Sequence, residues 1–305
     1  MYPKVAIVIL NWNGKQDSLK CLYSLSQLKY PNYEVLFIDN GSEDDSISCI
    51  SEQFPEVEII KNETNLGFAE GNNVGIRCAL KKGADYVFLL NNDTMVDSYI
   101  LNHLVAAGEN DSQVGILGPK MYHLKLHPGY LYSIGGKIDF HEYAISSIGC
   151  NQEDNGQFDC KQKVDFIIGC GLLIKKRVIE DIGLLDPIYF SYFEDVDWCV
   201  RARAKGYKIT YVPEAKLWHY IAASTGGNHN RRWFYLMGRG SAIFIKKHGN
   251  FWNWIKFISF ISAEFLWVLI KKALFKNKKP IFVKAMGLRD GFLLRKANFD
   301  ILRKG

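Results

Sequence analysis

The feature that most constrains the fold is an apolar run at residues 86–90, which ends abruptly in Asn91, Asn92 and Asp93. Such a run predicts a strand that is buried on both faces, as in a parallel sheet. The polar residues then lie at the carboxyl end of the strand, where open α/β sheets bind ligands. Their carboxylate and amide oxygens suit Mg²⁺ or Mn²⁺ holding a phosphate. Because the same residues are common in ordinary turns, this stretch alone leaves both interpretations open.

Apolar runs alternate with helical patterns throughout residues 5–82. This alternation predicts an α/β fold with a mostly parallel, doubly wound sheet. Two further predicted strands also end in polar residues, the first in Asn11 and Asn13 and the second in Asp39. Three polar strand ends at one sheet edge suggest a nucleotide crevice. No G-x-G-x-x-G follows the first strand and no P-loop motif occurs, so neither a redox dinucleotide nor ATP is indicated.

The second half of the chain contains further candidates for chemistry. Glu194, Asp195 and Asp197 precede Arg201 and Arg203 in one segment. Acidic residues first and basic residues last is the charge order that favours a helix dipole. The acidic residues therefore either stabilise the start of a helix or supply a general base.

His219 lies in a neighbourhood of loop-forming residues after a strand predicted at residues 208–212. A single histidine is more often structural than a metal ligand, and the sequence leaves both roles open. Residues 164–174 form another apolar run and are predicted to be a buried strand.

Seven stretches of the chain follow one another in this order: VAIVILNWNG, VLFIDNGSEDDS, NLGFAEGNNVGI, FLLNNDTMVD, GCGLLIKKRVIEDIGLLDP, YFEDVDWCVRARAKGYKI and WHYIAAS. In that order and spacing, from about residue 5 to about residue 224, the chain resembles the family-two glycosyltransferases, and within them the rhamnosyltransferase-like branch. The resemblance implies a GT-A fold, a nucleoside-diphosphate-sugar donor, a divalent cation and inversion at the anomeric carbon.

The resemblance assigns seven residues to the donor: Asn11, Asn13, Asp39, Asn65, Gly67, Asn91 and Asn92. Among them, Asp39 corresponds to the contact with the base or ribose. Asn65 and Gly67 lie on the loop that closes over the donor.

For the metal, the resemblance aligns Asp93 with the last aspartate of the family's D-x-D motif and His219 with a histidine that completes the metal shell in some relatives. Asn91 replaces the first aspartate, which implies a neutral or water-mediated contact there. Mg²⁺ or Mn²⁺ is the expected cofactor.

For catalysis, the resemblance aligns Asp195 with the general base, with Glu194 beside it. It puts Trp198 and Asp197 on the acceptor side. These roles agree with the chemistry, because an acceptor hydroxyl needs a base and a diphosphate leaving group needs a cation.

The implied function is inverting transfer of a sugar from a dTDP- or UDP-linked donor to a glycan or lipid-linked glycan, in the synthesis of a cell-wall or surface polysaccharide. The branch suggests dTDP-rhamnose as the donor. One alternative is a non-catalytic nucleotide-sugar or glycan-binding module on a degenerate transferase fold. Another is a sugar nucleotidyltransferase, which is disfavoured because the chain lacks a Gly-rich, lysine-bearing loop near its start.

The chain is predicted to divide into a catalytic domain at 1–240 and a basic, amphipathic helical extension at 241–305. Residues 251–270 are nearly long enough to cross a bilayer, but Lys256 and Glu264 interrupt them. We expect an interfacial helix with Trp252, Trp254 and Trp267 at headgroup depth. A helix that covers the catalytic domain or joins two copies in a homo-oligomer is the alternative.

The charge is concentrated at the end of this extension. Residues 271–305 carry 11 lysines and arginines against 2 aspartates, within a net charge of +6 for the chain. This excess predicts an anionic membrane surface as a partner, and no nucleic acid. The 7 cysteines form no C-x-x-C pair, and the first residues lack a charged leader and cleavage site. We therefore expect a cytoplasmic protein, peripheral on the inner face of the membrane.

Overall fold

A computed structural model of the chain describes residues 2–124, 129–140, 144–220, 230–274 and 279–297, with the side chains of 264–274 and 279–281 outside the description. A mixed sheet with helices on its faces forms the body of the molecule, and three helices follow it.

The first half has the alternation that the sequence predicts. Its elements are β1 Val5–Asn11, α1 Lys15–Leu25, β2 Tyr33–Asp39, α2 Ser46–Gln53, β3 Glu58–Lys61, α3 Gly67–Lys81 and β4 Tyr86–Asn91. β1 pairs in parallel with β2 and β4, and β3 pairs in parallel with β2. Only the last residue of β4 is not fully buried, so the predicted two-sided burial is confirmed. The carboxyl ends of β1, β2 and β4 therefore meet at one edge of the sheet.

The second half extends the sheet beyond β4. Its elements are β5 Thr94–Val96, α4 Ile100–Glu109, β6 Val114–His123, β7 Leu131–Ser133, β8 Gly136–Asp139, β9 Ala144–Ser147, β10 Gln162–Lys163, β11 Gly171–Lys175, α5 Lys176–Ile182, a 3₁₀ turn Pro187–Tyr189, α6 Glu194–Ala204 and β12 Lys208–His219. The strand order of the main sheet is β10-β12-β6-β11-β4-β1-β2-β3. β11 is antiparallel to both neighbours, whereas β6 and β12 are parallel to each other. The predicted α/β class is confirmed.

Two sequence predictions need correction. Of residues 164–174, only those from Gly171 onward are strand, because the N–H of Gly171 donates to the carbonyl of Ile168 and closes a turn. Phe166 instead bridges to Gly136 of β8. The strand predicted at 208–212 continues to His219, which therefore lies in β12 opposite His123 of β6 and not in a loop.

The helices that follow are α7 Arg231–His248, α8 Phe251–Leu274 and α9 Lys279–Phe292. The backbones of α7 and α9 are in close contact. A Cβ on Gly287 would lie 2.1 Å from the carbonyl oxygen of Tyr235, and one on Gly291 would lie 2.4 Å from that of Arg239. Glycine at these two positions permits the approach, because it has no side chain.

α7 also belongs to the body of the molecule, since Ile243 and Phe244 are fully buried in its main core. Residue 240, where the sequence analysis divides the chain, lies inside α7. The division into two domains stays a prediction. Among the described helices, none is both long and apolar enough to cross a membrane.

Candidate active site

Asn11, at the end of β1, is fully buried and organises the carboxyl edge of the sheet. Its Nδ2 donates to Oδ1 of Asp39 and to Oγ of Ser42, both at 3.1 Å. Its Oδ1 accepts from the backbone N–H of Gly14 at 3.1 Å and from Nδ2 of Asn92 at 3.0 Å. These bonds use both amide hydrogens and both oxygen lone pairs. Asn11 therefore positions Asp39 and Asn92. It has no hydrogen-bonding capacity left to bind a nucleotide sugar.

A second network joins the end of β2 to the start of α3. Asp39 is only 2% exposed, and its Oδ2 accepts from the backbone N–H of Ser42 at 3.1 Å. The next residue, Asn40, donates through Nδ2 to Oδ1 of Asn65 at 3.1 Å and to the carbonyl of Gly67 at 3.2 Å. The loop that the sequence analysis assigned to the donor is thus fixed to the sheet by amide hydrogen bonds.

A cavity of about 580 Å³ opens at this edge. Its lining residues are Leu10, Trp12, Asn40, Gly41, Glu43, Glu63, Thr64, Asn65, Gly67, Phe68, Asn91, Asn92, Phe190, Ser191, Tyr192, Arg232 and Leu236. Among the predicted donor residues, four line the cavity: Asn65, Gly67, Asn91 and Asn92. The other three, Asn11, Asn13 and Asp39, do not, and Oδ1 of Asn13 accepts from the backbone N–H of Glu43 at 2.7 Å. The volume falls in the usual range for small-molecule sites.

Two cavity residues that the sequence analysis did not assign come from distant parts of the chain. The guanidinium carbon of Arg232, in the first turn of α7, lies 5.1 Å from the ring centroid of Trp12, in the turn after β1. This separation is typical of a cation–π contact. No local pattern relates the two residues, because only the fold brings α7 to β1.

The segment before α6 has a strained backbone. Phe190, Tyr192 and Phe193 all have positive φ angles, of 67°, 70° and 74°. This conformation is costly for residues with side chains, at roughly 1–3 kcal/mol each, and is common at functional sites. The carbonyl of Phe190 accepts from the N–H of Phe68 at 2.6 Å and of Ala69 at 3.2 Å, in the first turn of α3. These bonds offset part of the cost and hold Phe190 against the cavity.

Asp93 and His219 meet at the same edge, beside β4 and β12. Nε2 of His219 lies 3.1 Å from Oδ1 of Asp93, and both side chains are about 7% exposed. The other ring nitrogen of His219, Nδ1, is buried and has no hydrogen-bonding partner among the described residues. The sequence analysis predicted that these two residues act together, and the fold brings them into contact.

The pair fits a divalent cation. Two ligands of an octahedral ion with bonds of about 2.1 Å lie about 3 Å apart, and such ions are often held by one or two protein groups together with phosphate and water. In the described part of the chain, no group of three or more His, Cys, Asp or Glu side chains surrounds a common point. Oxygens of the nucleotide-sugar donor would therefore have to complete the coordination shell of the cation.

Asp195 is held in the first turn of α6 by backbone donors. Its Oδ2 accepts from the N–H of Gly169 and its Oδ1 from the N–H of Val196, both at 2.8 Å. Burial raises the pKa of Asp195, and these N–H groups offset part of the rise. Next to Gly169, the carbonyl of Cys170 accepts from the N–H of Asn91, two residues before Asp93, at 3.2 Å. The two acidic residues therefore border one region of the site.

Glu194 is 4% exposed, and its Oε2 has no hydrogen-bonding partner in the described chain. Burial, followed by the charge of Asp195, raises the pKa of Glu194 well above its ordinary value. The neutral acid is therefore favoured at Glu194, and the negative charge of the pair resides on Asp195.

Asp197 and Trp198 are not on an acceptor surface, because both side chains are fully buried. The Asp197 carboxylate accepts from Nε of Arg201 at 2.8 Å and from Nζ of Lys247 at 2.6 Å, and Nε2 of His248 lies 2.7 Å from it. Burial alone would raise the pKa of Asp197, but the hydrogen bond with His248 and the charges of Arg201 and Lys247 hold it well below its usual range. Nε1 of Trp198 donates to the carbonyl of Gly183 at 2.8 Å. Both residues fix α6 in place.

Comparison with known sequences matches residues 3–236 to the family described as "Glycosyltransferase like family 2". The dTDP-rhamnosyl transferase RfbF of Shigella flexneri is 26% identical over 230 residues, which cover 72% of this chain and 70% of the relative. The poly-beta-1,6-N-acetyl-D-glucosamine synthase of Staphylococcus epidermidis is 26% identical over 256 residues. That match covers 83% of this chain but only 57% of the synthase, so the chain spans little more than half of this relative.

Among solved structures, the mannosyltransferase PcManGT from Pyrobaculum calidifontis, in complex with GDP-Man and Mn²⁺, superposes with a TM-score of 0.59. Sequence identity is 14%, and the match covers 96% of this chain and 86% of the other. At this identity the likeness establishes the fold alone. The predicted GT-A fold is confirmed.

Proposed function

The chain belongs to glycosyltransferase family two, and from that premise we propose that it is an inverting, metal-assisted enzyme that transfers a sugar from a nucleoside diphosphate to a hydroxyl group of a glycan. The observation that carries this proposal is the arrangement at the carboxyl edge of the sheet. A 580 Å³ cavity, the Asp93–His219 pair and Asp195 all lie there.

Donor binding is supported by the cavity and its polar wall. Asn65, Asn91 and Asn92 line it together with the aromatic side chains of Trp12 and Phe68. Amide groups suit the polar edges of a nucleotide, and aromatic rings suit its base. Asp39, behind this wall, acts on the donor through the residues that it orients.

Asp93 and His219 would hold the cation. When bound, a divalent ion supplies positive charge to the diphosphate as the bond to the sugar breaks. The amide oxygen of Asn91, at the end of β4, offers a neutral contact beside them.

Asp195 is the proposed general base. The N–H groups of Gly169 and Val196 fix the direction of its carboxylate, and burial makes the group more basic than an ordinary aspartate. It takes the proton of the acceptor hydroxyl while that oxygen attacks the anomeric carbon from the face opposite the diphosphate. One displacement inverts the configuration and needs no covalent intermediate.

For the donor we propose dTDP-rhamnose, with a UDP-linked sugar as the alternative. Support comes from the activity named for the Shigella relative, and the synthase named for the Staphylococcus relative points instead to N-acetylglucosamine. For the acceptor we propose a lipid-linked glycan of a surface polysaccharide, reached from the cytoplasmic face of a membrane.

The first test is stabilisation by donors. dTDP-rhamnose, UDP-N-acetylglucosamine and GDP-mannose are compared by thermal unfolding, each in Mn²⁺ and in EDTA. We expect one donor to stabilise the protein in Mn²⁺, by about 2.7 kcal/mol at a concentration of 100 Kd. Asp93→Ala should remove the metal-dependent part, whereas Asp17→Ala on α1 should not.

Equal stabilisation in Mn²⁺ and EDTA would contradict the metal assignment. A donor that binds but is neither transferred to membrane-extracted acceptors nor hydrolysed would favour the non-catalytic module, the alternative to which Asn91 gives some support.

A further inference from the structure

Tyr132 is the central residue of β7 and faces the site just described. Its neighbours Leu131 and Ser133 are completely buried, whereas Tyr132 is partly exposed. Neighbouring side chains of a strand point to opposite faces. The ring of Tyr132 therefore lies on the other face of β7 from Leu131, where it packs at the margin of the main core.

The ring packs against two histidines. Its centroid lies 4.8 Å from that of His219 and 5.6 Å from that of His123, the residue paired with His219 across β6 and β12. Because His219 contacts Asp93 directly, one side of the Tyr132 ring borders the proposed cation site.

The other side of β7 connects to the proposed base. Ser133 pairs with Met121 of β6, whose Sδ lies 3.6 Å from Sγ of Cys170. The residue before Cys170 is Gly169, whose N–H holds the carboxylate of Asp195. The carbonyl of Cys170 also accepts from the N–H of Asn91, two residues before Asp93, at 3.2 Å. Asp93 and Asp195 are therefore linked through the segment at Gly169 and Cys170.

The hydroxyl group of Tyr132 forms no hydrogen bond to any other described residue. This hydroxyl is also not one of the fully buried polar atoms that lack a partner, so it is accessible to solvent or to a ligand. An accessible hydroxyl on a ring that packs against His219, the partner of Asp93, suggests that a bound substrate supplies the hydrogen-bonding partner.

We propose that the Tyr132 hydroxyl donates a hydrogen bond to a hydroxyl group of the transferred sugar. This inference rests on the proposed function. With the diphosphate at Asp93 and the acceptor hydroxyl at Asp195, the transferred sugar has to lie between them. Tyr132 packs against His219 on the Asp93 side of that space. Tyr132 thus positions the sugar part of the donor and does not bind the nucleotide part. The donor must carry a free hydroxyl group on its pyranose ring.

The test compares binding of a nucleotide sugar with binding of its nucleoside diphosphate, for example dTDP-rhamnose against dTDP, by calorimetry in Mn²⁺. Tyr132→Phe removes only the hydroxyl and should weaken binding of the nucleotide sugar by about 3- to 10-fold, the usual effect of one hydrogen bond. Affinity for the nucleoside diphosphate should stay unchanged. The matched control is Tyr122→Phe. The hydroxyl of Tyr122, on β6, donates to Asp154 at 2.6 Å in the unmodified protein, and its removal should change neither affinity.

Two results would overturn the inference. One is unchanged affinity of Tyr132→Phe for the nucleotide sugar. The other is an equal loss for both ligands, which indicates a general effect on the site. If the unmodified protein binds no nucleoside diphosphate and no nucleotide sugar, the proposed function itself fails, and this outcome is distinct from the other two.

Discussion

At the scale of single residues, Asp195→Asn separates catalysis from binding. Asparagine has nearly the same shape, and its amide oxygen can still accept one of the two N–H groups, of Gly169 or Val196, that bind separate oxygens of Asp195. The variant should lose transfer by roughly 10²-fold or more, because it cannot accept a proton. Donor affinity should stay nearly unchanged. Transfer rates and calorimetry on the same preparation provide the measurement.

The pH dependence of transfer follows from the same carboxylate. The base acts only when deprotonated, and burial raises the pKa of Asp195 above its ordinary value. As pH falls, transfer should therefore decline at a higher pH than for an exposed aspartate of pKa about 4. If Asp195→Asn kept near-normal turnover and the same profile, the base would have to be Glu194, because Asp197 is tied to Arg201 and Lys247.

Sequence patterns predicted which types of residue occur at the site, but they did not predict the role of each residue. Asn11 ends β1 and Asn92 follows β4, and both were expected to contact the sugar donor. In the structure, only Asn92 lines the cavity, and Asn11 is consumed by internal hydrogen bonds. The same residue types serve both purposes, so the pattern cannot separate them. Asp197 and Trp198 were misassigned for the same reason, since their burial depends on contacts between distant elements.

At the scale of elements, Gly67 joins α3 to the strained segment before α6. Its φ is +82°, and an added Cβ would lie 2.5 Å from Cδ2 of Phe190. Gly67→Ala should therefore combine a backbone cost of about 1–2 kcal/mol with a steric cost of about 1–3 kcal/mol. Urea unfolding measures the loss of stability, and nucleotide-sugar affinity should fall with it, because Phe190 lines the cavity.

The matched control is Gly83→Ala. Gly83 has nearly the same conformation, with φ of +78°, but a Cβ there would meet no atom within 4 Å. This variant should show only the backbone cost and leave nucleotide-sugar affinity intact. Equal destabilisation by the two substitutions would mean that the Phe190 side chain can move aside at little cost. Contact with Gly67 would then not fix the position of Phe190.

The strands and helices of the first half were predictable because each has a local pattern of apolar residues. The segment at 190–193 was not. Its residues with positive φ are aromatic, so no glycine marks the turn in the sequence. Hydrogen bonds with α3 offset the conformational cost of their backbone. The strand predicted at 164–174 failed for a related reason, because burial alone does not distinguish a strand from a buried turn.

At the scale of the whole molecule, α8 presents an apolar face. Its exposed large side chains are Phe251, Trp252, Ile255, Ile258 and Phe260. Trp254 packs instead on Phe292 of α9, with ring centroids 5.5 Å apart. Of the other residues that the sequence analysis assigned to the membrane, the side chains of Glu264, Trp267 and Lys271 to Lys279 lie outside the described ones. The membrane role of this helix remains a prediction.

Vesicle co-sedimentation tests that prediction. The unmodified chain should bind vesicles that contain phosphatidylglycerol, and binding should fall with salt. The double change Trp252→Glu and Ile255→Glu should weaken it, because charges are costly in the apolar part of an interface. The control is Tyr23→Glu, which alters a similarly exposed aromatic residue on α1. Equal sedimentation of all three proteins would exclude this face as the contact.

The buried Arg239 has a consequence for hybrid proteins. Its guanidinium donates to the carbonyl of Tyr189 at 2.9 Å through Nη1, and to the carbonyl of Arg295, after α9, at 2.6 Å through Nη2. Leaving such a buried charge without partners costs about 3–5 kcal/mol. A chimaera that exchanges residues 241–305 between relatives must therefore present a carbonyl at the place of Arg295, or the turn that leads into Phe190 loses its support. Swapping the last helices would then weaken donor binding through Phe190, even though none of the exchanged residues lines the cavity.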